Sequence, residues 1–433
     1  MTTARSPSLA YAWFVVAVLA LANAVSFVDR LILSLLVQPI KADLHLSDTQ
    51  FGLLAGLAFA IFYVFMGLAV ARWADRYSRK WIVTTGIALW CCMTTATATA
   101  RNFWQLFVFR TGVGVGEATL SPSAYSLLAG YFPANRLAMA IGVFSVGVSA
   151  GTGIAFLLGG ALIQWVFAQG TMHLPLLGDV SGWRLVVAWV GVLGLPIALL
   201  MLLVREPARA AGFTAASVRE VWQHFRGDWR RYSFIFVGYG TTSVTAYSVM
   251  TWTPALYMRQ YHASMAAAAT TIGVVALLGG VLGGFLGGAY ADRLERGGDA
   301  NAKLRVLAYC GMGLLLPAVL APFMPTMLGH AAVIFFTFFF GSGASGPAGS
   351  YIQSITPDRM RAQFGAVYQL SLTLLGATLG PFAVGMLNDR FFHSEAALGQ
   401  SMALVSALAN PIAAWVLWQA FKAGRARLSP GYS

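Results

Sequence analysis

Charge is what this 433-residue chain has least of. Asp, Glu, Lys and Arg make up 10% of it, against roughly 25% in soluble domains, while 58% is hydrophobic and the mean hydropathy is +0.70. That scarcity excludes a soluble globular protein and leaves a polytopic membrane protein with room for about twelve spans of ~20 residues. Acids are scarcer than bases, 15 against 28. In a soluble chain the resulting +13 would suggest nucleic acid, but here its distribution points to membrane topology instead. Cysteine is limited to Cys91, Cys92 and Cys310, all in apolar segments, so no disulfide framework is indicated and packing is their expected role. The six histidines are dispersed without metal-ligand spacing, and no Walker loop, GxSxG elbow or dinucleotide fingerprint occurs. An enzyme, an ATP-driven pump, a metal site and a bound cofactor are all disfavoured on those grounds.

What is present is a regular series of apolar runs. They recur near 11–39, 49–73, 81–100, 103–130, 137–168 and 183–204, and again near 232–258, 264–290, 304–324, 328–354, 362–389 and 397–421. Six spans, a charged stretch from Arg205 to Arg231 and six more spans divide the chain into 1–204, 205–231 and 232–433. Residues 11–22 could pass for a signal peptide, yet the spans that follow favour an uncleaved first helix. Of the 28 basic residues, 21 lie at one set of alternate span ends, five (Lys41, Arg101, Arg184, Arg259, Arg390) at the other, and two inside spans. By the positive-inside rule both termini and the central stretch are cytoplasmic, which suits a multi-pass protein of the cytoplasmic membrane. Within 214–229, Val218, Val221, Trp222 and Phe225 fall at helical spacing among arginines, as in an interfacial helix on the cytoplasmic leaflet; a solvated connector is the plainer alternative.

The halves repeat. Ala71-Arg-Trp-Ala-Asp75-Arg76-Tyr-Ser-Arg79-Lys80 is echoed by Gly288-Ala-Tyr-Ala-Asp292-Arg293-Leu-Glu-Arg296 at an offset of 217. Two pseudo-symmetric six-helix bundles with a cavity between them are the simplest account. An acid at the cytoplasmic end of one helix can accept from the first amides of another and pair with an arginine, so Asp75, Arg76, Arg79, Asp292 and Arg293 are candidates for conformational gating. Topology alone would supply the cations but not the doubled Asp-Arg.

Four charges have no second copy and lie at membrane depth. Asp29 and Arg30 sit in the middle of the first span; Arg110 and Glu117 lie seven residues, two helical turns, apart on one face of the fourth. Gly112, Gly114 and Gly116 between them permit close approach of a neighbouring helix. A charge at the centre of a span costs roughly 2.5–3.5 kcal/mol on insertion scales, so the four are expected to face one another or water. Adjacent residues point roughly 100° apart, so only one of Asp29 and Arg30 can face a cavity fully. Asp29 and Glu117 are the proton-coupling candidates. While ionised they hold Arg30 and Arg110; once protonated they free a guanidinium for a phosphate or carboxylate. An ion-pair network that merely fixes helices 1 and 4 is the structural alternative. The C-terminal half offers no charge at that depth but a wall of hydroxyl and aromatic groups, of which Tyr247, Trp252 and Tyr368 are substrate-binding candidates beside Arg30 and Arg110; helix packing is the competing role for each. The glycine ladders 279, 283, 287 and 280, 284, 288 mark a close helix contact, and Pro254 and Pro381 can bend spans 7 and 11.

The doubled Asp-Arg loops, Arg110 with its glycines and the Gly-rich fifth span from Gly142 to Gly160 resemble the major facilitator superfamily over nearly the whole chain. The resemblance implies twelve transmembrane helices in an all-α fold and alternating access by two rocking bundles. Ala71 and Ser78 stand where the loop signature usually has glycine, and the fifth span lacks the proline of the antiporter pattern. Phe27-Val-Asp-Arg30, the 74–80 loop, Arg110 through Ala118 and Trp252-Thr-Pro254 are similar to the Spinster branch. That likeness implies a secondary transporter of an amphipathic anionic solute of the lysophospholipid or sphingoid phosphate type, which the four charges would link to protons; a monomer among membrane lipids, with no nucleic acid partner, is expected. The same four charges also resemble proton symporters of small organic anions such as sugar acids, and a non-transporting receptor or structural protein could use the same helices.

Overall fold

Lipid offers no partners for backbone amides and carbonyls, so the apolar runs close their hydrogen bonds internally as helices. In the computed structural model residues 8–426 are described, except 133, 170–171, 175–177 and 208–215. Twelve spans run in chain order. Span 1 is Leu9–Leu35, with the Ser8 hydroxyl accepting from the Tyr11 amide. Span 2 is Asp48–Ala55 followed by Leu57–Arg76, span 3 Arg79–Thr97, and span 4 Phe103–Glu117 followed by Leu120–Tyr131. Spans 5 and 6 are Ala134–Ala168 and Gly182–Leu202; spans 7 and 8 are Trp229–Gln260 and Met265–Arg296. Span 9 begins at Ala302–Gly313 and continues through Pro317–Leu320, span 10 is Met327–Ile355, and span 12 is Leu398–Ala426. Span 11 opens as Arg361–Ser371, widens to a π-helix over Leu372–Leu379 and resumes at Gly380–Leu387, where Pro381 has no amide to give the preceding turn.

Among the described residues nine helices are long and apolar enough to cross a membrane. Spans 3, 4 and 7 fall outside that group because they carry the polar groups: threonines in span 3, the Arg110 and Glu117 charges and a break at Ala118–Thr119 in span 4, hydroxyls in span 7. Those hydroxyls are cheap to bury, since Thr241 and Ser248 donate back to the carbonyls of Val237 and Val244, each at 2.7 Å. The apolar run expected to reach residue 39 is interrupted at Leu36, after which Val37–Leu44 forms a separate short helix. In the 169–182 connection β1 (Met172–Leu174) pairs antiparallel with β2 (Gly178–Val180). His45, His262 and His393 adopt φ of 50°, 52° and 51°, the left-handed conformation that stops a helix.

By internal contacts the chain forms two units, one of Met1–Leu44 with Ala58–Ala211 and one of His45–Leu57 with Gly212–Ser433. The first packs around Leu19, Trp90, Leu127 and Phe144. Spans 3 and 6 meet there so closely that a Cβ on Gly191 would lie 2.7 Å from the Thr95 amide nitrogen. The second packs around Tyr232, Ile352, Phe364 and Leu417. Its spans 8 and 10 touch along one glycine ladder: a Cβ on Gly283 would lie 2.0 Å from the Phe339 carbonyl oxygen, and one on Gly287 2.2 Å from that of Gly343. Along the other ladder Gly284 faces the Ser342 hydroxyl and Gly288 faces open space.

Residues 45–57 lie in the second unit although the hydropathy reading makes them the start of span 2. Gly52 and Gly56 explain this, because their missing side chains let the backbone reach the carbonyls of Pro381 and Ala377, where a Cβ would stand 2.5 and 2.3 Å away. The connecting stretch does form a helix, Val218–Gly227, started by a Ser217/Glu220 capping box. Its apolar face is divided: Val221 and Phe225 pack on the core of the second unit, while Trp222 is exposed and stacks on Phe225.

Candidate substrate and proton site

Spans 1 and 4 bring their four charges together in crossed pairs. Arg110 of span 4 holds Asp29 of span 1, Nη1 to Oδ1 at 3.1 Å, and Arg30 of span 1 holds Glu117 of span 4, Nε to Oε2 at 2.5 Å. The approach rests on the glycines of span 4. A Cβ on Gly114 would lie 2.5 Å from the Phe59 carbonyl oxygen, and one on Gly116 2.8 Å from the Trp90 backbone nitrogen, so spans 2 and 3 close directly on the turns between Arg110 and Glu117. Thr94 of span 3 donates its hydroxyl to the second oxygen of Asp29.

The two pairs are not equivalent. Asp29 and Arg110 are each 2% exposed and Glu117 1%, whereas the Arg30 side chain keeps 18% of its surface open. Arg30 also lies against three aromatic faces, 4.6 Å from the Phe59 ring centroid, 4.9 Å from Tyr63 and 5.3 Å from Phe27. Such faces stabilise a guanidinium without neutralising it. Glu117 Oε1 and Arg110 Nε are buried with no hydrogen-bond partner among the described residues. A buried polar atom left unmatched costs about 1–3 kcal/mol, which the surrounding pairs must offset. The arrangement therefore contains one sealed pair, Asp29 with Arg110, and one incomplete pair, Glu117 with Arg30, whose cation is accessible.

The aromatic candidates of the C-terminal half are placed differently. Trp252 is fully buried, donates its indole N–H to the Pro381 carbonyl at 3.0 Å and meets Phe51 edge-on, so it joins spans 7 and 11. Tyr368 stacks on Tyr239, whose hydroxyl donates to the Gly341 carbonyl. Tyr247 is half-buried and lies against Gly376. At the outer end of that half, Arg259 of span 7 grips Asp48 with both Nη atoms at 2.7 Å.

The loop motif has an actor that the pattern of residues did not disclose. Arg79 is 4% exposed; its Nε donates to Glu206 at 2.7 Å, and its Nη atoms donate to the carbonyls of Ser126 and Pro207. Glu206 also accepts from the amides of Arg79 and Lys80 at 3.3 and 2.9 Å and from the Ser78 hydroxyl at 2.8 Å, thereby capping span 3. Burial pushes the Glu206 carboxyl up, but the Lys80 amide, the Arg79 guanidinium and the Ser78 hydroxyl outweigh it and hold it below the usual carboxylate range. The side chain of Asp75 lies outside the described residues; Arg76, Asp292 and Arg293 are exposed. Glu206 was findable as the only acid between 205 and 219, and Phe59 and Tyr63 as an aromatic pair one helical turn apart. Thr94 had no distinguishing sign among the threonines of span 3.

The Major Facilitator Superfamily matches residues 19–381. An MFS-type efflux pump of Mycolicibacterium smegmatis is 31% identical over 417 residues, covering 94% of this chain and 92% of the relative. Protein spinster homolog 1 of Mus musculus is 26% identical over 417 residues, covering 89% of this chain and 75% of that protein. Among solved structures, a bacterial homolog of the human lysosomal transporter Spinster, inward-facing and unoccupied, superposes with a TM-score of 0.80 at 26% identity, covering 98% of this chain and all of the other.

Proposed function

Since the chain belongs to the major facilitator superfamily and resembles its Spinster members, we propose that this multi-pass membrane transporter moves an amphipathic anionic lipid-like solute in a proton-linked cycle of alternating access. The observation that supports this reading best is the unequal pairing in the buried cross. Arg30 is the cation with open surface, so it receives the phosphate or carboxylate of the solute, and the aromatic faces of Phe27, Phe59 and Tyr63 hold it in place between loads. To receive the anion, Arg30 releases Glu117, whose other oxygen is already unmatched. A proton on Glu117 removes the charge that would be stranded, so occupancy and protonation are linked. Asp29, held by Arg110 and Thr94, positions span 1 against span 4 and is the second protonatable group. Glu206 and Arg79 set the loop after span 2. Both termini lie on the cytoplasmic side, and the outward direction is carried over from the mycobacterial efflux pump.

Purified protein in liposomes tests this. With an imposed pH gradient, a labelled lysophospholipid should cross the bilayer, and Glu117→Gln should bind it while losing the dependence on the gradient. Flux of a sugar acid that long-chain lipids fail to inhibit would replace the solute with a small organic anion. Binding without flux would replace the transporter with a receptor.

A further inference from the structure

Five helix ends of the second unit enclose a cup that the transport cycle does not use. Its volume is about 340 Å³, within the roughly 300–1,000 Å³ of small-ligand sites, and its walls come from spans 7, 8, 9, 10 and 12. Two cations, Arg231 and Lys303, line it against one carboxylate, Glu295. The Lys303 ammonium reaches Glu295 at 3.3 Å and Arg231 reaches Asp228 at 3.6 Å, loose pairs that leave donors on both cations. Just behind the wall, Arg305 and Asp299 neutralise each other at 3.0 Å.

The most informative wall residue is Asn301. It is 8% exposed, it occupies the cap position of span 9, and its side chain makes neither the capping hydrogen bond that the position offers nor any other to the described residues. It reaches across the cup toward Gly424, where a Cβ would lie 2.6 Å from its Oδ1. Asp299 takes the first two amides there, Oδ1 accepting from the Asn301 N–H at 3.0 Å and its carbonyl from the Ala302 N–H at 3.1 Å. The Asn301 side chain leaves the next first-turn amides of span 9 uncapped, so that their dipole adds to the positive potential of the two cations. An uncommitted buried side-chain amide, a helix start whose next first-turn amides lack a capping side chain and a guanidinium beside an ammonium form a donor set matched to a tetrahedral oxyanion.

We propose that this cup is a second ligand site, separate from the cross of spans 1 and 4, and that it binds a phosphate group. The source is either the head group of an anionic phospholipid or free phosphate. Arg231 and Lys303 supply the charge, and the Asn301 amide turns its N–H toward the phosphate oxygens. Glu295, at 3.3 Å, keeps the Lys303 ammonium in reach of the cup.

The test uses the full-length protein in nanodiscs of phosphatidylcholine, with thermal unfolding followed on addition of phosphatidylglycerol or, separately, of inorganic phosphate. Unfolding should shift upward with phosphatidylglycerol, and affinity should fall about tenfold or more in Arg231→Gln/Lys303→Gln, the effect of one lost charge-assisted hydrogen bond or more. Asn301→Asp should lose the response as well while unfolding no earlier in phosphatidylcholine alone, because aspartate caps a helix as well as asparagine does but repels an anion. Arg230→Gln removes the same charge next door and outside the cup, and should respond like the parent. A response to phosphatidylglycerol without one to inorganic phosphate assigns the lipid; a response to both assigns the phosphate itself. No response to either, an unchanged response in the double variant and in Asn301→Asp, or an equal loss in Arg230→Gln would overturn the site.

Discussion

Two buried charge clusters, one in each unit, obey different rules. At mid-depth in the first, Asp29, Arg30, Arg110 and Glu117 pair across spans 1 and 4 and leave two polar atoms unmatched among the described residues. At the end of span 7 in the second, Asp48 is fully buried yet fully served: Arg259 holds it with two nitrogens, and Asn388 donates to it at 2.6 Å. Asp389 completes the surroundings by accepting from the Thr49 amide and hydroxyl, each at 2.6 Å, which caps the helix that Asp48 begins. A cluster with every donor matched holds helices together and has no reason to change partners. A cluster with a vacant oxygen and an accessible guanidinium is one protonation away from another arrangement. Buried charge is thus common to both, and completeness of pairing separates scaffold from working site.

The largest effect should come from cutting the complete cluster. Asp48→Ala removes the two short bonds to Arg259 and leaves its buried guanidinium with the exposed Glu395 at 3.4 Å, and should lower stability by about 3–5 kcal/mol, read as an earlier thermal transition in detergent. If Glu117→Gln were to cost as much, the distinction between the clusters would be lost. Instead, Glu117→Gln should keep the fold and lose gradient-dependent transport, and Arg30→Gln should weaken binding of the anionic solute about tenfold or more in equilibrium titrations. Smaller again is Gly283→Ala, whose methyl meets the Phe339 backbone carbonyl; forcing spans 8 and 10 apart should cost about 1–3 kcal/mol. Gly288→Ala, in the same run of glycines but facing open space, should be neutral or stabilise by up to about 1 kcal/mol.

The smallest effect concerns Glu206. Its folded value lies below its unfolded one, so its stabilisation of the start of span 3 is full above the ordinary carboxylate range and is lost as pH falls through the depressed folded value. Glu206→Gln should remove that acid-side dependence from thermal unfolding and leave neutral-pH stability only slightly lower, since the group is partly exposed. The second copy of the loop offers the contrast, because among the described residues Arg296 there donates only to the Asp292 carbonyl at 3.3 Å. Sequence repetition therefore marked equivalent places whose contacts differ.

Much of the molecule was legible from one dimension. Hydropathy has the same period as the bilayer, so twelve spans and the membrane class followed from counting, and four charges at mid-span could not be placed without partners. Gly112, Gly114 and Gly116 announced a close approach because nothing else permits it. The tertiary structure alone decided who pairs with whom: Arg110 with Asp29, Arg30 with Glu117, Thr94 completing the first pair and an aromatic set flanking the second. It also moved residues 45–57 into the second unit and gave Arg79 to Glu206, 127 positions away. The physical reason is common to all of these. Burial cost depends on a residue's own chemistry and can be read from its identity, whereas the partner that offsets the cost is set by how helices rotate and approach, which no local spacing records.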